Sequence, residues 1–137
     1  MEYDYIISLC SSIKKDYTKN INSILKDLNV TLSDFAFLNI LYHENNLTQD
    51  NLAKKVQYNN ATVTRSLIRL EKRGFIKRNQ NIDDKREKIV QLTPIGREVT
   101  QDVIHKLEEY DQHTLRDFDD EEIENCKRFL KKYLKKL

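Results

Sequence analysis

The side chains best suited to chemistry in this sequence fall between residues 48 and 88. Asn60, Ala61, Thr62, Thr64, Arg65, Arg69 and Lys72 lie at the start and along one face of a predicted helix, and Val63, Leu67 and Leu70 lie on the other. Amide, hydroxyl and guanidinium groups can donate to and accept from nucleobase edges. Cationic side chains and free helix amides hold phosphate oxygens. Charge is concentrated in the same region. From Lys54 to Lys88 there are eleven Lys or Arg and four acids, a local charge of +7, while the rest of the chain carries −5. The overall +2 of these 137 residues is therefore a cancellation. A basic stretch on a near-neutral chain is the footprint of phosphate-backbone contact. On charge alone, a solvated lysine-rich face fits equally well.

Other chemistry finds little support. With only two glycines, no familiar phosphate-binding loop can form. No Ser/His/Asp arrangement or paired-carboxylate site is visible, so catalytic residues, cofactor and enzyme activity are not expected. His105, Glu109 and His113 recur at helical spacing, but the first two helices offer only His43-Glu44 as further ligands. The expectation is solvated residues and no metal site. Cys10 and Cys126 are too isolated for a metal cluster. Cys10 sits on an apolar stripe and reads first as a small buried hydrophobe, with a redox thiol as the alternative. Cys126 reads as packing. No apolar run approaches a membrane span, and MEYDYIISLC lacks the basic start of a signal peptide. The expected location is cytoplasmic, with no membrane partner.

The elements that must position these residues are mostly helical. Two glycines and one proline cannot supply the turns of a β-sandwich or barrel. Apolar residues at 6, 10, 13, 17, 21, 24 and 28 predict a long amphipathic first helix ending near Asn29. Thr31-Leu32-Ser33-Asp34 predicts a capping box for a second helix, with Asp34 reaching back to the free amides. That helix carries Phe35, Leu38, Ile40, Leu41 and Tyr42 and ends near Asn45-Asn46. Thr48 caps a short third helix with Leu52, Ala53 and Val56 inward. Asn59 caps the fourth, and Gly74 ends it. Residues 75–78 and 88–92 predict a hairpin with residues 79–87 between its strands. Thr93-Pro94 starts a long fifth helix. Asp119 and Glu122 cap a sixth, whose apolar positions run from Ile123 to Leu137.

Helix 48–56, a short turn, helix 60–73 and hairpin 75–92 make a helix-turn-helix followed by a wing. Ala61-Thr62-Val63-Thr64-Arg65, Leu70-Glu71-Lys72-Arg73-Gly74-Phe75-Ile76, and Asp84-Lys85-Arg86 leading into Leu92-Thr93-Pro94-Ile95-Gly96 resemble the MarR family of winged helix-turn-helix transcription regulators in order and spacing. The detailed motif covers roughly residues 47–97, and the flanking helices extend the likeness over the chain. The fold class that follows is mainly α with a small β-hairpin wing, the N- and C-terminal helices forming a dimerisation domain. Residues 1–30 and 94–137 would dimerise, and 31–93 would form the DNA-binding lobe of a single interlocked domain.

The resemblance further implies a homodimer on a pseudo-palindromic double-stranded DNA operator, usually as a repressor. In the family the first, fifth and sixth helices interlock, here about 2–28, 94–117 and 120–136. The DNA-binding set is Thr48, Gln49, Asn60, Ala61, Thr62, Thr64, Arg65, Arg69, Lys72, Arg78, Asp84, Arg86 and Lys88. Arg86 matches the family's wing-tip arginine, which a narrow A·T-rich minor groove attracts, and Asp84 would orient it. A small apolar or phenolic effector would enter a crevice with Tyr17, Phe37 and Tyr42 as aromatic candidates, on helical pattern alone. Two alternatives stand beside this one: a protein-interaction module that no longer reads DNA, and redox sensing through Cys10.

Overall fold

A computed structural model describes residues 4–137. Its elements in chain order are α1 (Ile6–Lys26), α2 (Leu32–His43), β1 (Leu47–Thr48), α3 (Gln49–Val56), α4 (Asn60–Lys72), β2 (Ile76–Gln80), β3 (Lys88–Leu92), α5 (Pro94–Thr114) and α6 (Asp120–Leu134). The chain divides into two compact units, one reaching Ile104 and the other His105–Leu137. No helix among the described residues is long and apolar enough to cross a membrane.

In the first unit, the core draws on every helix from α1 to α5 and on β2 and β3, while β1 stays half-buried. Leu25 and Val30 meet Phe35, Phe37, Leu38 and Leu41 of α2, and the buried set continues through Leu52, Val63, Leu67, Leu70, Ile76, Val90 and Val103. The sheet is antiparallel with β3 central, in the order β1-β3-β2. Ile76 pairs with Leu92, Arg78 with Val90 and Gln80 with Lys88, and Leu47 pairs with Val90 on the other edge. Alternation along β3 turns Val90 and Leu92 inward, as a half-buried strand requires.

Several helix ends follow from local chemistry. The side chains of Thr48 and Asn59 accept from the amides of Asn51 (3.1 Å) and Thr62 (2.8 Å). Asp119 and Glu122 form a reciprocal capping box. Asn29 (φ 53°) and Gln57 (φ 57°) turn left-handed just after α1 and α3. Gly74, at φ 76°, ends α4, and the Phe75 amide donates back to the Leu70 carbonyl (3.0 Å). Open space surrounds Gly74, so its backbone angle and not crowding calls for glycine there.

Five expectations change. Thr31 Oγ1 does accept from the Asp34 amide (3.1 Å), but the Asp34 carboxylate turns away from the cap toward Arg69. A two-residue strand, β1, joins the hairpin, too short to show alternation in sequence. β2 runs to Gln80, so the loop shrinks to 81–87. α1 ends at Lys26 and α5 at Thr114, each before its predicted end, and the predicted start of the first helix at residue 2 lies outside the described residues. Cys10 and Cys126 are both exposed, not packed. The cysteine change reflects a general property of α1, where Leu25 is the single buried residue and Ile6, Ile7 and Ile13 face water. In the second unit, α6 likewise buries none of its residues and exposes Phe129, Leu130, Tyr133 and Leu134.

The start of α5 presses directly on the beginning of the hairpin. The Thr93 amide donates to the Phe75 carbonyl (3.0 Å), and Thr93 Oγ1 accepts from the Gly96 amide (3.0 Å) and donates to the Gly74 carbonyl. A Cβ on Gly96 would lie 1.9 Å from the Phe75 carbonyl oxygen. Backbone cannot yield as a flexible side chain can. Gly96→Ala is therefore expected to destabilise the fold by on the order of 3 kcal/mol, measured by urea unfolding. Gly74→Ala should cost about 1 kcal/mol, through strain at positive φ alone.

Candidate nucleic-acid interface

The N-terminal turn of α4 is open to solvent. Asn59 caps it, and Asn60, Ala61, Thr64 and Arg65 project from it exposed, with Thr62 half-buried. Arg65 has no hydrogen bond or ion pair among the described residues. Farther along, Lys72 is exposed as well. The opposite side of the helix is sealed by Val63, Ser66, Leu67 and Leu70.

Arg69 behaves differently from Arg65. Its Nη2 donates to Asp34 Oδ1 (2.8 Å) and to Ser66 Oγ (3.2 Å), and its Nε reaches Asp34 Oδ2 (3.3 Å). Only 6% of the Asp34 side chain is exposed. The hydrogen bonds that Arg69 donates to Asp34 raise its pKa beyond the usual arginine value, and desolvation works the other way. Arg73 is also engaged. Its guanidinium donates to the carbonyls of Leu28 (2.7 Å) and Asn29 and lies over the Phe75 ring, 4.8 Å from its centre. The sequence reading missed Asp34 as a partner and Arg73 as a joint. These bonds span 35 to 45 residues, and no local pattern announces them.

Arg78 is held too. It meets Glu71 through Nη2–Oε1 (3.0 Å) and Nε–Oε2 (3.2 Å), and Nη1 approaches Gln49 Oε1 (3.4 Å). Just 14% of its side chain is exposed. The hydrogen bond from Arg78 holds the Glu71 carboxyl below the usual glutamate range, with a smaller pull from Lys88. Thr48, Gln49, Arg78, Arg86 and Lys88 line one open polar pocket together with Asp50 and Glu87. The predicted residues of α3, β2 and the wing are thus brought together.

At the wing, Asp84 Oδ1 accepts from both the Arg86 amide (3.0 Å) and Arg86 Nε (3.2 Å). The guanidinium remains in water, with the side chain 90% exposed. A charge-assisted bond of this kind orients the arginine without hiding it.

The aromatic trio is not a common lining. Phe37 is fully buried and packs edge-on against Tyr58, 5.8 Å between ring centres. It is a core residue and presents no face to a crevice. Tyr42 lies beneath the Arg97 guanidinium (5.2 Å) and edge-on to His43, and Tyr17 is half-buried on α1. His105 pairs with Glu109 (3.1 Å), while His113 faces Arg116. Among the described residues no group of three His, Cys, Asp or Glu could hold a metal ion.

Comparison with known proteins adds the following. Residues 30–88 match the model of the MarR family. An uncharacterized HTH-type transcriptional regulator of Bacillus subtilis, YdcH, is 31% identical over 102 residues, 72% of this chain and 69% of that protein. The regulator BilQ of Clostridioides difficile is 24% identical over 122 residues, 89% of this chain and 82% of its own length. A further B. subtilis regulator, YdgJ, is 39% identical over 69 residues, half of this chain and 42% of its own length. Among solved structures, MarR superposes with a TM-score of 0.87 at 26% identity, covering 99% of this chain and 92% of that one. The Staphylococcus aureus MepR–DNA complex gives 0.84 at 26% identity, covering 98% and 100%.

Two predictions separate internal arginines from exposed ones. Asp34→Ala should lower stability by about 1–2 kcal/mol, since a buried hydrogen bond to a charged group is lost while half-exposed Arg69 rehydrates. Chemical denaturation measures it. For Glu71 the folded pKa lies below the unfolded value of about 4.3, so its contribution is present above that value and fades as pH falls through the folded pKa. The stability gap between the native chain and Glu71→Gln should therefore be constant from pH 7 to about pH 5 and close below it. A gap that widened in acid would contradict the assigned pair.

Proposed function

The chain belongs to the MarR family of HTH-type transcriptional regulators, and from that premise we propose that it binds a pseudo-palindromic double-stranded DNA operator as a homodimer and acts as a repressor. The observation that carries this reading is the pairing of an exposed, unpartnered Arg65 on α4 with an exposed Arg86 fixed by Asp84 on the wing. A recognition helix of this kind enters the major groove, where Asn60, Thr64 and Arg65 can meet base edges. Thr48, Lys72 and Lys88 would hold phosphates. The S. aureus relative MepR is solved as a DNA complex, which supports the same docking here. Arg69 and Arg78 enter the interface only as supports, because Asp34 and Glu71 occupy their guanidinium groups. Residues 31–93 are the proposed DNA-binding lobe.

Residues 1–30 and 94–137 are the proposed dimerisation helices. The unburied apolar positions of α1 and of α6 support this, since amphipathic helices bury such stripes. Two recognition helices would then meet successive major grooves, about 34 Å apart. A small apolar or phenolic effector would release the operator if it binds more tightly to a dimer whose spacing does not fit DNA. Tyr17 and Tyr42 remain as aromatic candidates for that site.

Mobility shift on a site selected from random duplex DNA tests the reading. Arg65→Ala and Arg86→Ala should each weaken binding by about 10-fold or more. Affinity should fall steeply with added salt, as release of counterions from phosphate demands. Native-like binding by both variants, or a flat salt response, would favour a protein-interaction module instead.

A further inference from the structure

The tip of the wing is tied together by hydrogen bonds that leave one residue out. The Asn81 amide donates to the Glu87 carbonyl (2.9 Å), closing the loop 82–86. Inside it, Asn81 Oδ1 accepts from the Asp83 amide (3.1 Å), and Asn81 Nδ2 donates to Glu87 Oε2 (3.0 Å). The Glu87 amide donates to the Asp84 carbonyl (3.0 Å), and Gln80 Nε2 donates to the Lys85 carbonyl (2.6 Å). Asp84 ties down Arg86. Ile82 makes none of these bonds, and 95% of it is exposed.

The placement of Ile82 differs from that of the apolar side chains on α1 and α6. Those recur at helical spacing and form stripes. Ile82 stands alone at the tip, flanked by Asn79, Gln80, Asn81, Asp83, Asp84 and Lys85. It follows Asn81 of the closing pair Asn81·Glu87 on one side of the loop, and Arg86 precedes Glu87 on the other. Both leave an ordered scaffold at the same end of the hairpin. The charges of the tip cancel, Asp83 and Asp84 against Lys85 and Arg86. Net charge alone therefore does not hold the tip in a groove walled by phosphates.

We propose that Ile82 is a second specificity residue of the wing, packing against the deoxyribose wall of the minor groove beside Arg86. This rests on the DNA-binding reading above. The minor groove is about 6 Å wide and narrower in A-tracts, and the sugars lining it are rich in C–H surface. A narrow groove brings that wall against an isoleucine, and a wide one leaves it in water. The β-branched side chain is stiff at χ1, so little rotamer freedom is lost on contact. Arg86 senses the potential of the groove, and Ile82 senses its width.

The experiment uses the full chain, the site selected from random duplex DNA, and duplexes in which the A·T pairs under the wing are replaced by G·C. Ile82→Ala should unfold at the native temperature, because 95% of the residue is already exposed in the folded protein. It should bind the selected site about 5- to 10-fold more weakly, the effect of exposing part of an isoleucine. It should also lose much of the preference for A·T under the wing, with an unchanged salt slope because no charge is removed. Unchanged affinity and preference in Ile82→Ala, with Arg65→Ala still impaired, would overturn the role of Ile82 and leave DNA binding standing. A changed oligomeric state in Ile82→Ala would also overturn it, by assigning the residue to a protein contact. Absence of salt-dependent duplex binding by the native chain would instead remove the reading on which the inference rests.

Discussion

A buried carboxylate, Asp34, sets the position of α4. Both of its oxygens take N–H donors from Arg69, and Ser66 accepts another from the same guanidinium. A carboxylate removed from water needs such partners, because an unpaired buried charge costs several kcal/mol. The demand is directional, since only one roll of α4 about its axis brings Arg69 over the start of α2. Arg73 adds a second point of attachment at the end of the helix, through the carbonyls of Leu28 and Asn29 in the turn after α1. The first turn of α4 is left unencumbered. A helix held from behind and along its later turns can present Asn60, Thr64 and Arg65 in a fixed direction.

The wing is referred to the same frame. Glu71 of α4 grips Arg78 of β2, and Thr93 links the end of β3 to the carbonyls of Gly74 and Phe75. The close approach at Gly96 removes the slack that a side chain would impose. Helix and hairpin thus share backbone and ion-pair contacts, and the exposed arginines at their outer ends are spaced by the fold itself. Much of the local positive charge is spent inside the lobe, on Asp34, on Glu71 and on backbone carbonyls. The positive charge left unpaired at the surface is smaller than the count along the chain.

What could be read in the sequence was whatever is decided within three or four residues. Thr48, Asn59, Thr93 and Asp119 cap helices because a side-chain oxygen reaches an amide two or three positions on. Gly74 ends α4 because only its φ suits the turn. The Asp84–Arg86 pair is two residues apart and equally legible. Partnerships across 35 or more residues were not, which is why Asp34 looked like part of a capping box and Arg69 like a surface cation. Phe37 failed for another reason. α2 buries Phe35, Phe37, Leu38 and Leu41, so its apolar pattern does not single out one face, and periodicity cannot say which aromatic ring borders a crevice. β1 was too short to carry any pattern at all. On α1 the stripe was visible, but a stripe does not state whether its cover comes from the same chain.

The hydrogen bonding of the wing tip bears on how such a protein can diverge. The loop is held by main-chain groups and by the side chains of Gln80, Asn81, Asp84 and Glu87. Positions 82 and 85 contribute little or nothing with their side chains to that scaffold. Substitutions there are nearly neutral for folding, while they alter the most forward surface of the hairpin. The side chains at these two positions can therefore change the surface the hairpin presents without loosening the loop that presents it.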